Sequence, residues 1–291
     1  MSGVRLKKYI ASSGLCSRRK ADELIEQGVV AVNGKVVKEL GYLVQTKDKV
    51  FVNKKLIHPA KHLYYKFYKP AGYITTCEDE KGRKTIYDIL PESLNNLKPV
   101  GRLDKDSTGL LILTNDGDLI NELTHPSVKV PKIYIVTVNS AVHRKDLEQM
   151  ANGLEIEPNK MAYADIQVLE IDNKHTEMQI TLYQGMNRQI RKMFEYFGYE
   201  VKVLKRVQHA TIRLDGLKRG DVKPLKPAQI KELKNTYVDS NIRLHTIDED
   251  TDMTTLSVAT FNTNIETYIE DNIPEYLDEK YQIIKDKINK P

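Results

Sequence analysis

The stretch GRLDKDSTGLLILTNDG, residues 101–117, joins two kinds of chemistry at one point. Leu110, Leu111, Ile112, Leu113 and Thr114 make a continuous apolar, β-prone run, and Asn115, Asp116 and Gly117 after it are turn formers. This pattern predicts a buried strand ended by a tight turn. Before the run, Arg102, Asp104, Lys105 and Asp106 mix charges, and Ser107, Thr108 and Gly109 follow; that composition cannot extend a buried strand and predicts a loop. Loops carried on a rigid scaffold are common positions for catalytic groups, so Asp104 is the first candidate. Taken alone, the tripeptide Arg-Leu-Asp is more simply read as a solvated turn in which Asp104 pairs with Arg102 or Lys105. The longer context decides between the two.

At 291 residues the chain is long enough for two domains or more, each with its own core. A composition of 40% hydrophobic and 29% charged residues is that of a globular protein. No apolar run approaches a membrane span, and the start MSGVRLKKYIASSG lacks the apolar core of a signal peptide, so a cytoplasmic protein is expected. Cys16 and Cys77 provide neither a disulfide framework nor a metal-ligand cluster, and no closely spaced His or Cys set joins them. A chemistry free of metal and cofactor is expected. The net charge of +5 hides an asymmetry: residues 235–291 hold 5 Lys and Arg against 12 Asp and Glu, a net −7 that leaves +12 for residues 1–234. The body has the charge of a polyanion binder, and the tail does not.

Leu6, Tyr9 and Ile10 stand at helical spacing in Arg5 to Ser12, and Gly14 is a stop signal. Ser17 can cap a second helix, SRRKADELIEQ, whose inner face is Ala21, Leu24 and Ile25. Arg18, Arg19 and Lys20 occupy its first turn, where the helix dipole disfavours cations and favours a phosphate. Asn33 and Gly34 between β-branched runs mark a type I′ hairpin, and KVFVNKKLI reads as another strand and turn. The segment RLKKYIASSGLCSRRKADELIEQGVVAVNGKVV, residues 5–37, resembles the S4 RNA-binding domain in its helix, helix, hairpin order. The resemblance implies that Arg5, Lys8, Arg18, Arg19 and Lys20 contact RNA phosphates, with recognition mostly of shape and backbone. An S4 domain is expected over residues 1–60, with KLIHPAKH, 55–62, as the linker.

From residue 63 to 234 the pattern is α+β. LYYKFYKPAGY is an aromatic-rich strand ended by Lys69, Pro70, Ala71 and Gly72, which leaves Lys69 placed to touch phosphate. β-like runs follow at 110–114, 132–139, 164–171 and 175–183; in the last, Met178, Ile180 and Leu182 alternate with polar residues. They predict a half-covered, mostly antiparallel mixed sheet, with helical pieces at 118–126 and at 144–153, where Gly153 is the stop. Tyr134 shares a strand face with Lys132 and Val136. In QGMNRQIRKMFEYFG, 184–198, Ile190, Met193, Phe194 and Phe197 predict an amphipathic helix ended by Gly198. Arg188 and Arg191 are neighbours on it; Arg191 lies at the margin of the apolar face, where a cation requires a partner, and Asp104 is the obvious carboxylate.

GRLDKDSTGLLILTNDG, KIYIVTV, QGMNRQIRKMFEYFGYEV and the LKRV that follows occur in the order and spacing of the RsuA-type pseudouridine synthases that carry an N-terminal S4 domain. The resemblance covers residues 5 to about 230 and is nearest to the synthase F branch, which acts on large-subunit ribosomal RNA. It implies that Asp104 is the catalytic aspartate, either attacking the sugar or removing a sugar proton. It also implies that Arg191 pairs with Asp104, Tyr134 stacks on the uracil and Leu204 floors the pocket. Arg102 would fill the gap left when the nucleotide is flipped out, and Arg188 and Lys69 would touch RNA. No cofactor is implied, and a monomer acting on ribosomal RNA is expected. A tRNA target, or a non-catalytic RNA-binding or ribosome-assembly factor on the same fold, are the alternatives. Residues 235–291 are acidic where the resemblance implies a basic extension, and they are expected to be an acidic C-terminal extension, helical in part or disordered.

Overall fold

A computed structural model describes residues 3–77 and 79–235; the acidic extension from residue 236 lies outside the described residues. In chain order, helices α1 (Leu6–Ser12) and α2 (Arg18–Glu26) precede strands β1 (Val30–Val32), β2 (Lys35–Val36), β3 (Val50–Val52) and β4 (Lys55–Ile57). Then come β5 (Tyr64–Lys69), β6 (Thr108–Thr114), α3 (Gly117–Thr124), β7 (Lys132–Val138) and α4 (Arg144–Asn152). The last elements are β8 (Asp165–Ile171), β9 (Thr176–Leu182), α5 (Gln189–Tyr196), β10 (Val201–His209) and β11 (Val222–Pro224). No described helix is long and apolar enough to cross a membrane.

The chain divides into two compact units. One takes the residues up to Lys105 together with Leu111–Leu123 and Gly216–Ile230; among the described residues the other takes Asp106–Leu110, Thr124–Asp215 and the residues after Ile230. Strand β6 begins in the second and ends in the first.

The first unit holds the N-terminal module. The Ser17 hydroxyl accepts the Lys20 amide at 3.2 Å and caps α2, which has no acidic residue in its first turn. Asn33 and Gly34 both take positive φ, 50° and 82°, as a type I′ turn between β1 and β2 requires. Strands β2-β1-β3-β4 pair antiparallel in that order. Leu6, Ile10, Ala21 and Ile25 of the helices pack on Val30, Val32, Val50 and Val52 of the strands, a core drawn from residues 6–57 alone. Leu6, Ile10 and Ile25 are wholly buried, each worth about 1.5–3 kcal/mol. Further along, β5 lies between β11 and the end of β6, and Phe67, Leu111 and Leu113 join Ile86, Leu90 and Leu97 in a second core. Asp116, nearly buried, accepts the Tyr64 hydroxyl at 2.7 Å and the amides of Asp118 and Leu119 at 3.2 Å, which starts α3.

In the second unit the order is β8-β9-β7-β10 followed by the beginning of β6. Every pair is antiparallel except β10 with β6, where Lys205 and Arg206 lie beside Thr108 and Gly109 in parallel register. The architecture is the expected α+β with a mostly antiparallel mixed sheet. On β9 Met178, Ile180 and Leu182 are buried and Glu177, Gln179 and Thr181 are half-buried, the alternation that the sequence predicts. Gly153 at φ 116° ends α4, and Gly198 at φ 80° donates its amide to the Glu195 carbonyl after α5.

Helix α5 covers the periodic positions from Ile190 to Phe194 and leaves the first residues of the segment 184–198 outside it. It starts at Gln189, and Arg188 before it adopts a left-handed φ of 52°. Gln189 is buried and its side chain competes for this segment: the Nε2 amide donates to the Tyr163 carbonyl at 3.1 Å and to Gln184 Oε1 at 3.2 Å, while Oε1 accepts the Met186 amide at 3.4 Å. These bonds hold 184–188 as a loop.

Candidate active site

In the first unit, the Asp104 loop is held through its main chain. Leu103 is buried, its carbonyl accepts the Thr75 hydroxyl at 2.8 Å, and its amide donates back to that oxygen at 3.3 Å. The Lys105 carbonyl accepts the Gly72 amide at 2.8 Å. At the end of β5, Lys69 has no exposed surface; its ammonium donates to the carbonyls of Asp104 at 2.9 Å, Pro70 at 3.1 Å and Lys105 at 3.4 Å. Lys69 is therefore not a surface contact for phosphate, a correction to the expectation from its turn. A buried ammonium is satisfied by carbonyl dipoles, and these three belong to the loop that carries the aspartate. Asp104 itself is half-buried, while Arg102, Lys105 and Asp106 are exposed.

The same unit carries the cations of the N-terminal module. Arg5 and Arg19 are exposed. The other three have protein neighbours: Lys8 pairs with Asp118 at 2.7 Å, Lys20 with Glu23 at 2.6 Å, and the Arg18 guanidinium lies beside Gly117. Exposed pairs of this kind hold weakly and can exchange for a phosphate.

In the second unit, Tyr134 on β7 lies between Ile180 of β9 and Arg206 of β10, and Val136 lies between Met178 and Leu204. Directly opposed residues share a face, so Tyr134, Leu204 and Arg206 stand on one side of the sheet. Tyr134 and Leu204 are buried. Arg191 on α5 is half-buried, and its Nη1 donates to the Val201 carbonyl at 3.0 Å; Arg188 is exposed.

Three residues on this face have no role in the sequence reading: Gly109, Arg206 and Lys132. A β-carbon on Gly109, whose φ is 109°, would come 2.2 Å from the Arg206 carbonyl oxygen, so β6 and β10 can approach this closely only with glycine here. Arg206 is 2% exposed, and its Nε donates to the Leu110 carbonyl at 2.8 Å. Lys132 lies between Leu182 and His209, and burial, aided by the charge of Arg206, pushes its ammonium down to about 8. The signal for Gly109 was present as a glycine opening a buried strand; Lys132 and Arg206 stood inside the quoted KIYIVTV and LKRV motifs, and a charge in an apolar run was the sign that either is buried. Among the described residues no three His, Cys, Asp or Glu side chains converge to hold a metal ion.

Residues 63–196 match the RNA pseudouridylate synthase family model, and residues 4–50 match the S4 domain model. Over 232 residues the chain is 42% identical to ribosomal large subunit pseudouridine synthase B of Bacillus subtilis, covering 79% of this chain and 95% of that protein. It is 39% identical over 235 residues to the dual-specificity RNA pseudouridine synthase RluF of Escherichia coli strain K12, covering 80% of this chain and 79% of that one. A crystal structure of a pseudouridylate synthase superimposes with a TM-score of 0.58 at 28% identity, over 79% of this chain and 99% of the other.

Proposed function

This chain belongs to the RNA pseudouridylate synthase family, and from that premise we propose that it isomerises a uridine of ribosomal RNA to pseudouridine with Asp104 as its catalytic carboxylate. In this isomerisation the bond from the ribose to uracil N1 breaks, the base turns, and a bond to C5 forms as the C5 proton leaves for N1. Atoms and electrons balance within one nucleotide, so no co-reactant is consumed. Whether Asp104 attacks the sugar or removes its proton, the carboxylate must be ionised, oriented and shielded from bulk water. Arg191 is the cation we assign to holding it charged. Tyr134 stacks on the uracil while allowing it to turn, and Leu204 lies under the base. Flipping the nucleotide costs about a few kcal/mol, and Arg102, exposed in the same loop, fills the vacated stack. Residues 1–60 serve as the S4 module with Arg5, Lys8, Arg18, Arg19 and Lys20 on phosphates, residues 63–234 with Arg188 as the catalytic part, and residues 235–291 as an extension. The enzyme acts as a cytoplasmic monomer.

The observation that carries this reading is the clamped main chain at Leu103, Asp104 and Lys105, which fixes the position of a half-buried carboxylate. Asp104→Asn is expected to abolish pseudouridine formation while RNA binding survives; measurable turnover by that variant removes Asp104 from the mechanism. The target follows from mapping pseudouridines in total RNA from cells with and without the gene. Loss confined to tRNA would move the substrate there.

A further inference from the structure

Charge is cheap to place on a surface and expensive to place inside a protein unless an opposite charge accompanies it. The face of β7 and β10 beside Tyr134 departs from that rule. Arg206 is 98% buried by its 2% exposure, uses Nε on the Leu110 carbonyl, and has a buried Nη2 without a hydrogen-bond partner among the described residues. Lys132, two residues before Tyr134 and on the same face, is half-buried and donates to the Val130 carbonyl at 3.0 Å. The charge that perturbs its ammonium is another cation, Arg206. The charged or titratable groups that face Lys132 from β10 are Arg206 and His209, and β9 presents Leu182. Among the described residues, then, the one charge acting on Lys132 is a second cation, Arg206, and no carboxylate offsets it.

We propose that Lys132, backed by the buried charge of Arg206, binds a backbone phosphate of the RNA substrate beside Tyr134. The chemistry selects this ligand. RNA supplies one negative charge per nucleotide, and a phosphate brought into a poorly hydrated site supplies the counter-charge that the fold withholds. Lys132 is the contacting group because it reaches the surface; Arg206 contributes its field from below and positions β6 through Leu110. The β-strand geometry puts the bound phosphate within about two residues' span of the tyrosine ring, roughly 7 Å, which is the reach of one nucleotide.

This proposal rests on the reading of the protein as acting on RNA, and its test is a binding measurement in the full-length Asp104→Asn background, where no turnover contributes. The probe is an in vitro transcribed large-subunit ribosomal RNA. Lys132→Gln is expected to weaken binding about tenfold near pH 7 and to lower the salt slope by about one. The parent protein is expected to lose affinity as pH rises from 7 to 9, since Lys132 is charged below its value of about 8 and neutral above it. Lys132→Arg, always charged, is expected to keep its affinity across that range. If Lys132→Gln folds normally and matches the parent in affinity, salt slope and pH profile, the subsite does not exist. If Lys132→Arg loses affinity with pH as the parent does, another group titrates and the assignment is equally overturned. Failure of the catalytic reading would be seen separately, as absent pseudouridine formation by the unmodified protein.

Discussion

Replacing Gly109 by alanine tests how β6 is joined to β10, and the structure sets the size of the effect. The new β-carbon would lie 2.2, 2.6 and 2.9 Å from the carbonyl oxygen, amide nitrogen and carbonyl carbon of Arg206. Ordinary carbon–oxygen contact begins near 3.3 Å, so the strands must separate by roughly 1 Å, and the obstructing atoms are backbone that cannot rotate away. Retaining a φ of 109° with a side chain adds strain of about 1–3 kcal/mol. Separation also stretches the parallel pairing at Thr108 and Gly109 and the 2.8 Å bond from Arg206 Nε to Leu110, each worth about 1 kcal/mol. The sum, about 3–5 kcal/mol, is a large part of a typical stability and should lower Tm by about 10 °C. Gly34→Ala provides the control: its φ is 82°, but nothing lies within 4 Å of the added carbon, so only strain of about 1–2 kcal/mol applies. Urea midpoints followed by circular dichroism, with pseudouridine formation measured alongside, separate the two. Equal midpoints for the two variants would refute the close-approach argument.

Lys69→Met leaves the Asp104, Pro70 and Lys105 carbonyls without their ammonium donor. It should cost about 2–4 kcal/mol in a urea melt and lower kcat with little change in KM for RNA; unchanged stability with weakened RNA binding would restore Lys69 to the phosphate surface. Hydrogen bonds from Lys160 and Lys192 hold Glu157 at about 2 instead of 4.5. A carboxylate depressed in the folded state stabilises the fold above its ordinary value, and that stabilisation is lost as pH falls from 4.5 towards 2. The stability gap between the parent and Glu157→Gln should therefore shrink across that window, and a gap independent of pH would contradict it. Arg19→Glu, at an exposed position on α2, should weaken RNA binding and reduce its salt dependence by a slope of about one to two, measured as affinity against salt concentration; an unchanged slope means that RNA enters elsewhere.

What the sequence determined by itself were features whose causes are local. The Ser17 cap, the Asn33-Gly34 turn, the alternation along 176–182 and the apolar run at 110–114 depend on a few adjacent residues, so spacing and side-chain chemistry suffice to read them. Family membership was legible for a related reason: separated motifs in fixed order carry more information than any one of them. Tertiary structure alone decided the features that depend on a partner far along the chain. Lys69 looked like a surface cation because nothing nearby in sequence announces three carbonyls, two of them on residues 104 and 105, waiting for it. Residues 184–188 form a loop before α5 because Gln189 meets Tyr163 and Gln184, which periodicity does not encode. The aspartate loop at 101–109 shows the division most plainly. Its charge pattern marked Asp104 as a candidate, whereas the clamp by Lys69 and Thr75 and the requirement for glycine at 109 arise from residues tens of positions away, where packing and hydrogen bonding act through space.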